Sequence, residues 1–314
     1  MFESRHFTVE RLAEGVYAAI HRSGGWAIGN AGIIDLGEFT LIFDTFITFK
    51  AAEDLLEAAN QLTGSPVKMV VNSHYHNDHI WGNQVFGPQV FILSSTKTQS
   101  LIKTRGQEEY DWYLENSASE LNTIQTQYDA ESDAQKKEHI AKWMSYYEGL
   151  VETMPDLTVR LPDITFDEQL AIHGTGRSIA LRTFADGHAP SDTAIFLASD
   201  GILFLSDLLF VNAHPFLADG DPDNLIQTLE QVAAYDAPIL VPGHGPPGTK
   251  DDINLQLDYM AHCKQTASTM LANGQDEEAI SGQIIPERFA DWEFPNFYAA
   301  NLRYYYRKLT AAGA

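Results

Sequence analysis

Two stretches of the chain share one pattern of apolar and polar positions. Residues 31–44 (AGIIDLGEFTLIFD) and 193–207 (TAIFLASDGILFLSD) each contain two apolar runs joined by a turn with glycine, and each ends on an aspartate. This pattern predicts a β-hairpin in both places. A helical segment follows each hairpin, and then a further apolar run that leads to a histidine. The chain is therefore predicted to contain two similar β-β-α-β units.

The helices of both units have recognisable ends. Thr48 is expected to cap the first helix and Gly64 to end it, while Asp221 and Pro222 mark the start of the second. Two units of this kind predict two sheets packed face to face with helices outside, which is a four-layer αββα sandwich of the α+β class. In such a fold we expect polar residues to gather where strands end.

Strand patterns stop between about residues 95 and 160, where apolar residues recur at helical spacing instead. They are Ile140, Trp143, Met144, Tyr147, Leu150, Val151 and Met154. Ser117 and Ser132 each precede a Glu or Gln by three positions, which predicts that helices begin there. We predict one domain over residues 1–314, with a helical insertion at about 95–160 and a C-terminal helical segment at about 252–314.

Composition and charge narrow the classes of partner. The formal net charge of −23 argues against nucleic acid, whose phosphates require Lys and Arg. The start, MFESRHFTVE, lacks the apolar region of a signal peptide, and no run approaches the roughly 20 apolar residues of a membrane span. A cytoplasmic protein with a small-molecule substrate is expected. The single cysteine, Cys263, means that any metal would be held by nitrogen and oxygen donors.

Residues 73–79, SHYHNDH, crowd three histidines and an aspartate together after an apolar run. If that run is a strand, His74 and His76 at its end point the same way and can share one ion. Asp78 and His79 are adjacent, project differently and are expected to begin the next helix. One ion cannot readily collect all four side chains, so the spacing predicts two neighbouring metal ions.

Three downstream residues are candidates to complete the two sites. His188 lies in the loop sequence FADGHAPSD, Asp207 ends the second hairpin, and His244 is flanked by glycines in VPGHGPPG. His214, in NAHPFL just after Asp207, is a candidate for lining the substrate pocket rather than for binding metal.

The segments HYHNDH, DGHAPSD, LFLSDLLF and VPGHG occur in this order over nearly the whole chain. Together they resemble the metallo-β-lactamase superfamily of αββα metallohydrolases. The resemblance implies a binuclear zinc site with His74, His76 and His188 on one ion, Asp78, His79 and His244 on the other, and Asp207 bridging them.

Details of these segments separate the branches of the superfamily. Zinc β-lactamases usually have cysteine or serine where this chain has Asp207, and flavodiiron proteins have glutamate where it has His76. The chain therefore resembles glyoxalase II-like thioesterases and lactonases, which use the bridging aspartate. The Gly-Gly-Asn typical of glyoxalase-type enzymes is replaced by Trp81, Gly82 and Asn83, which argues against glutathione thioesters.

The donor set predicts a hydrolase. Two close divalent ions would generate a bridging hydroxide that attacks the carbonyl of an ester, lactone, thioester or amide. Asp78 is predicted to orient this hydroxide and accept its proton, and Asp44 to hydrogen-bond a ligand histidine. Zinc is the expected metal, with iron, manganese and cobalt as alternatives. The alternative functions are a mononuclear iron oxidoreductase of the sulfur dioxygenase type, a β-lactamase and a non-catalytic metal-binding protein.

The sequence of the insertion also predicts how its apolar side chains pack. Its aromatic residues are predicted to serve packing rather than to form a substrate pocket. Because its apolar stripes cannot be hidden within the insertion itself, they are expected to pack near the metal site or on a second copy of the chain in a homodimer.

Overall fold

Two β-sheets face each other between layers of helices. The structure is a computed structural model, and it describes residues 2–313. Within these residues the first sheet has seven strands, adjacent in chain order: β1 (Phe7–Ala13), β2 (Val16–His21), β3 (Ala31–Asp35), β4 (Thr40–Phe43), β5 (Val67–Val71), β6 (Phe91–Ser95) and β7 (Ile164–Phe166). The second sheet has five: β8 (Gln169–His173), β9 (Ser178–Ala185), β10 (Ser191–Leu197), β11 (Ile202–Phe210) and β12 (Ile239–His244).

The same described residues contain eight α-helices. They are α1 (Phe49–Thr63), α2 (Asn77–Ile80), α3 (Thr96–Leu101), α4 (Gln107–Ala130), α5 (Ala134–Thr153), α6 (Pro222–Ala233), α7 (Lys250–Ala272) and α8 (Asn296–Gly313). Helix α1 packs its apolar face on the outer side of the first sheet. Helices α6, α7 and α8 cover the outer side of the second sheet. The predicted αββα sandwich is confirmed.

Both predicted β-β-α-β units are present. In each unit an antiparallel hairpin is followed by a helix and by a strand that pairs parallel to the hairpin's second strand: β3-β4-α1-β5 and β10-β11-α6-β12. The helix ends are also as predicted. Thr48 accepts a hydrogen bond from the backbone of Ala51, Gly64 adopts the left-handed conformation at φ 69°, and Asp221 caps α6 ahead of Pro222.

The central core lies between the two sheets. It contains apolar side chains from the inward faces of strands in both sheets, among them Val16, Ile34, Leu41, Phe43, Val71, Leu93, Leu181, Ile195, Phe204 and Val241. The sheets approach closely at one point, where a methyl group on Gly32 would lie 2.7 Å from the ring of Phe204. This close approach fixes the two sheets relative to one another and so fixes the strand ends that build the site.

Helices α3, α4 and α5 connect β6 to β7 and occupy the stretch where the sequence pattern changes. A π-helical turn, Ile102–Gly106, joins α3 to α4. The predicted helix starts are wrong. Ser117 lies within α4, where its Oγ donates to the carbonyl oxygen of Tyr113, and α5 is capped by Asp133 rather than Ser132. A serine inside a helix satisfies its hydroxyl with the preceding turn, so the capping pattern alone did not mark an end.

The insertion packs on the body of the sandwich. Tyr146, Leu150 and Met154 from its C-terminal part are buried against Ile47 and Trp81, which belong to loops around the first sheet. The sequence predicted packing near the metal site or on a second copy of the chain, and this part of the stripe packs within the chain, against segments that follow β4 and β5. Among residues 2–313, no helix combines the length and apolar character needed to cross a bilayer.

Candidate metal centre

Seven side chains from strands of both sheets and from the segments that follow them meet in one cluster. His74 and His76 follow β5, and Asp78 and His79 lie in α2. His188 lies in the loop between β9 and β10, Asp207 in β11 and His244 in β12. All seven were predicted as ligands from the sequence, and the structure brings all of them together. They form two groups, in each of which the donor atoms lie within 4.8 Å of one another.

The first group contains His74, His76, His188 and Asp207. Nδ1 of His76 lies 3.0 Å from Nε2 of His74 and 3.0 Å from Nε2 of His188. Oδ2 of Asp207 lies 3.2 Å from Nε2 of His188 and 4.0 Å from Nε2 of His74. Three imidazoles and one carboxylate therefore surround one point.

The second group contains Asp78, His79 and His244, and Asp207 reaches it as well. Oδ2 of Asp78 lies 3.5 Å from Nε2 of His79 and 3.4 Å from Nε2 of His244. Oδ1 of Asp207 lies 3.1 Å from Nε2 of His79, and its Oδ2 lies 3.4 Å from Nε2 of His244. The Asp207 carboxylate thus stands between the two groups.

These separations suit divalent metal ions. Ligands at about 2.0–2.1 Å in a tetrahedron lie about 3.3 Å from each other, close to most of the distances in both groups. Nε2 of His79 and Oδ1 of Asp207 are buried and lie 3.1 Å apart, but their geometry does not form a hydrogen bond, so within the described chain neither atom has a hydrogen-bond partner. Buried polar atoms left unpaired in this way are unfavourable unless something else binds them. The donor set could therefore hold metal.

The cluster is also strongly ionic. Burial opposes a charged His79, but the carboxylates of Asp78, Asp207 and Asp44 outweigh burial and hold the pKa of His79 well above its ordinary value. Burial likewise opposes an ionised Asp207, but the surrounding imidazoles, with His244 first, hold the pKa of Asp207 well below its usual range. A divalent cation can replace the protons in this balance of charges.

Asp44 lies behind the second group, as predicted. Its Oδ2 lies 2.9 Å from Nδ1 of His79 and accepts hydrogen bonds of 2.8 Å from the hydroxyls of Ser73 and Ser206. This contact leaves Nε2 of His79 to face the cluster. Asp44 and Ser206 both have positive φ, 61° and 49°, so the backbone is held in an unfavourable conformation where the two sheets meet behind the site.

Behind the first group lies a contact that the sequence analysis missed. Nε2 of His76 lies 3.2 Å from Oδ2 of Asp219, in the loop between β11 and α6, and Oδ1 of Asp219 pairs at 2.8 Å with Arg105 in the π-helical turn of the insertion. In sequence, Asp219 is one of several acidic residues ahead of α6, and its pairing with His76 depends on the fold. The contact turns Nδ1 of His76 toward the cluster.

Replacing Asp219 by Asn is expected to weaken metal binding about 10- to 100-fold, because it removes the carboxylate that orients His76. Titration of the metal against a competing chelator measures this. Asp223→Asn is the matched control, since Asp223 is half-exposed and pairs with Lys264 and Lys308. Equal metal affinity in the two variants would contradict the orienting role of Asp219.

A cavity of about 250 Å³ opens beside the cluster. Most of its wall is aromatic or aliphatic, and the apolar side chains that line it are Ile28, Tyr113, Trp143, Tyr146, Phe210, Phe216, Phe294 and Phe297. His76, Asp78, Asp207 and His244 line it on the side of the cluster. An organic molecule bound in this cavity would lie directly against the candidate metal site.

The aromatic residues of the insertion were predicted to serve packing rather than to form a substrate pocket. The packing is present, because Tyr146 is buried and Trp143 packs against the same core, but both side chains also line the cavity. His214 was a candidate for lining the cavity and does not line it. Its Nδ1 lies 3.0 Å from the hydroxyl of Tyr259, in the aromatic core beneath the C-terminal helices, and Phe216 takes the place at the cavity wall.

The fold and this site define the class of protein: the chain belongs to the metallo-β-lactamase superfamily, whose family model matches residues 24–244. It is similar to the linear primary-alkylsulfatase of Pseudomonas sp. (strain ATCC 19151), with 22% identity over 296 residues that cover 87% of this chain and 52% of the relative. The chain thus spans about half the length of that curated relative.

Among solved structures, the fold is similar to that of the metallo-beta-lactamase from Pontibacter korlensis. The two chains are 20% identical and superpose with a TM-score of 0.57, over 81% of this chain and 98% of that one. At this identity the likeness concerns the fold.

Proposed function

We propose that the protein is a binuclear metal-dependent hydrolase that cleaves an ester, lactone, thioester or amide at the carbonyl group. The observation that carries this proposal is the position of Asp207, whose two carboxylate oxygens lie 3.1 Å from His79 and 3.2 Å from His188. One carboxylate therefore touches both donor groups. A shared carboxylate is suited to hold two ions a short distance apart.

Each residue of the cluster has a place in this proposal. One ion would be held by the imidazoles of His74, His76 and His188. The other would be held by the imidazoles of His79 and His244 and the carboxylate of Asp78, and Asp207 would be shared by both ions. When bound, the two ions, for which we propose zinc, would lower the pKa of a water between them and polarise the substrate carbonyl.

Asp78 is the group best placed to direct the attacking water. Its side chain borders the cavity, and its Oδ2 faces both His79 and His244. Burial raises the pKa of this carboxyl, but the imidazoles of His79 and His244 outweigh burial and lower the pKa to about 2. An ionised carboxylate here can accept a hydrogen bond from the water and hold it toward the substrate.

The lining of the cavity is suited to a small organic substrate. Its aromatic side chains offer an apolar surface for an acyl or alcohol part, and its volume of about 250 Å³ limits the portion enclosed beside the cluster. The protein is proposed to act on a small molecule and not on nucleic acid or a membrane. Two copies of the chain are proposed to associate through exposed apolar residues of the insertion, such as Trp112 and Leu114.

Metal content and substrate range test the proposal together. Protein reconstituted with excess zinc and freed of loose metal is expected to hold two equivalents per chain by elemental analysis. The same sample should hydrolyse at least one member of a panel of esters, lactones, thioesters, amides and β-lactams. An alkyl sulfate is included in the panel because the curated relative carries that activity in its name.

Several results would contradict the proposal. One equivalent of zinc would argue against a binuclear site. One equivalent of iron together with oxygen uptake on persulfide substrates would favour an oxidoreductase. Hydrolysis confined to the alkyl sulfate would show that the enzyme cleaves a sulfate ester and does not attack a carbonyl group.

A further inference from the structure

Glu109 belongs to the cavity wall and has a buried carboxyl oxygen without a partner among the described residues. It lies in the first turn of α4, its side chain lines the cavity together with His76 and Asp78, and its Oε2 is buried with no hydrogen-bond partner in the described chain. A buried acceptor that is left unpaired destabilises the protein. A ligand that enters the cavity can supply the missing partner, and sites with such groups select strongly for ligands that do so.

The charges around Glu109 favour a positive partner. Of the side chains that line the cavity within residues 2–313, none is a lysine or an arginine. The nearby Arg105 pairs with Asp219. The chain as a whole carries a net charge of −23, which draws cations toward it.

The charges of His76, Asp78 and Asp219 act on Glu109, and the charge of Glu109 acts in turn on Tyr113 and Tyr146. Burial raises the pKa of Glu109 to about 7, with His76 opposing this and Asp78 and Asp219 adding to it. A positive group beside the carboxyl would favour its ionised form and so lower this pKa.

Aromatic side chains surround the same space. Tyr113, Trp143, Tyr146, Phe294 and Phe297 line the cavity with Glu109. Rings around a carboxylate are the usual surroundings of a bound ammonium group, because each ring face attracts a cation while its area buries the attached methyl groups. A neutral acyl chain would be served by the rings alone and would leave Oε2 of Glu109 unpaired.

We infer that Glu109 and the surrounding aromatic side chains bind a positively charged amino group of the substrate. The substrate class is then an ester or amide with an amine a few bonds from the carbonyl, so that the carbonyl meets the metal cluster while the ammonium group meets Glu109. The inference rests on the proposed hydrolase function for its reaction, but not for its binding step.

A matched pair of substrates tests the inference. The dimethylaminoethyl ester of a carboxylic acid is protonated at neutral pH, and the isopentyl ester of the same acid is its neutral isostere. The zinc-loaded protein is expected to prefer the cationic ester by about 10- to 100-fold in kcat/KM, the worth of a charge-assisted hydrogen bond. In Glu109→Gln the preference should vanish or reverse, because the positive charge of bound metal then acts alone on the cation.

The control is Glu108→Gln, which removes the same charge from the neighbouring, exposed position of α4. This variant should keep the wild-type preference and the wild-type metal content, and Glu109→Gln should keep the metal content as well. Equal rates on both esters in the wild-type protein, or an unchanged preference in Glu109→Gln, would overturn the inference while leaving the hydrolase proposal intact.

A binding measurement separates the two proposals. Calorimetric titration with protonated dimethylbenzylamine is expected to show binding to the zinc-loaded wild-type protein that is at least 10-fold weaker in Glu109→Gln. This result would support the cation site even if no ester in the panel were hydrolysed. Equal binding of the amine to the two proteins, or no binding to either, would overturn it.

Discussion

Replacing Asp207 by Ala is expected to remove both metal ions and to lower hydrolysis by on the order of 10³-fold or more. The reason is geometric. Asp207 supplies the carboxylate of the first donor group, and this carboxylate also lies 3.1 Å from His79 in the second. Its loss leaves three neutral imidazoles to hold one ion, and it removes the group that would hold the two ions together.

Elemental analysis after zinc reconstitution measures the loss of metal, and circular dichroism checks that the fold survives. Asp167→Ala is the matched control, because Asp167 is exposed in the turn between β7 and β8. The control should bind two equivalents of zinc and keep its activity. A folded Asp207→Ala protein with two equivalents of zinc would show that the carboxylate does not join the two donor groups.

The positions of the seven cluster residues follow from features that a sequence displays. Apolar runs that end in polar residues mark strand ends, and the repeated β-β-α-β unit indicates that two sets of strand ends face each other. The glycine before His244 also has a reason. A side chain on Gly243 would collide with Oδ1 of Asp207, so that β12 can pass close to the cluster only with glycine there.

The residues that line the cavity could not be predicted from the sequence, and the reasons are physical. Trp143 lies on an amphipathic helix, and an apolar stripe has the same periodicity whether it faces a packed core or an open cavity. Glu109 and Asp219 are acidic residues among many in this chain, and their roles arise from contacts with residues distant in sequence. His214 was misplaced because a histidine near a predicted ligand can equally be a buried partner of an aromatic hydroxyl, here that of Tyr259.

The effect of Asp78 on the reaction can be separated from its effect on metal binding. Asp78→Asn keeps an oxygen near His79 and His244, which lie 3.5 Å and 3.4 Å from the present carboxylate oxygen, and those histidines remain as donors. The variant is therefore expected to retain much of its metal. It loses the negative charge that orients the attacking water and accepts its proton, which should lower kcat on the order of 10²-fold or more.

Two variants serve as references for this experiment. His74→Ala should lose metal at the first site, because a whole neutral donor is removed. Asp258→Asn, at an exposed surface pair with Arg288, should change neither metal content nor kcat. Metal analysis and steady-state kinetics on the same samples give both quantities for all three proteins. If fully metallated Asp78→Asn turned over at the wild-type rate, Asp78 would be a metal donor without a part in the chemistry, and the water would have to be directed by another group that borders the cavity.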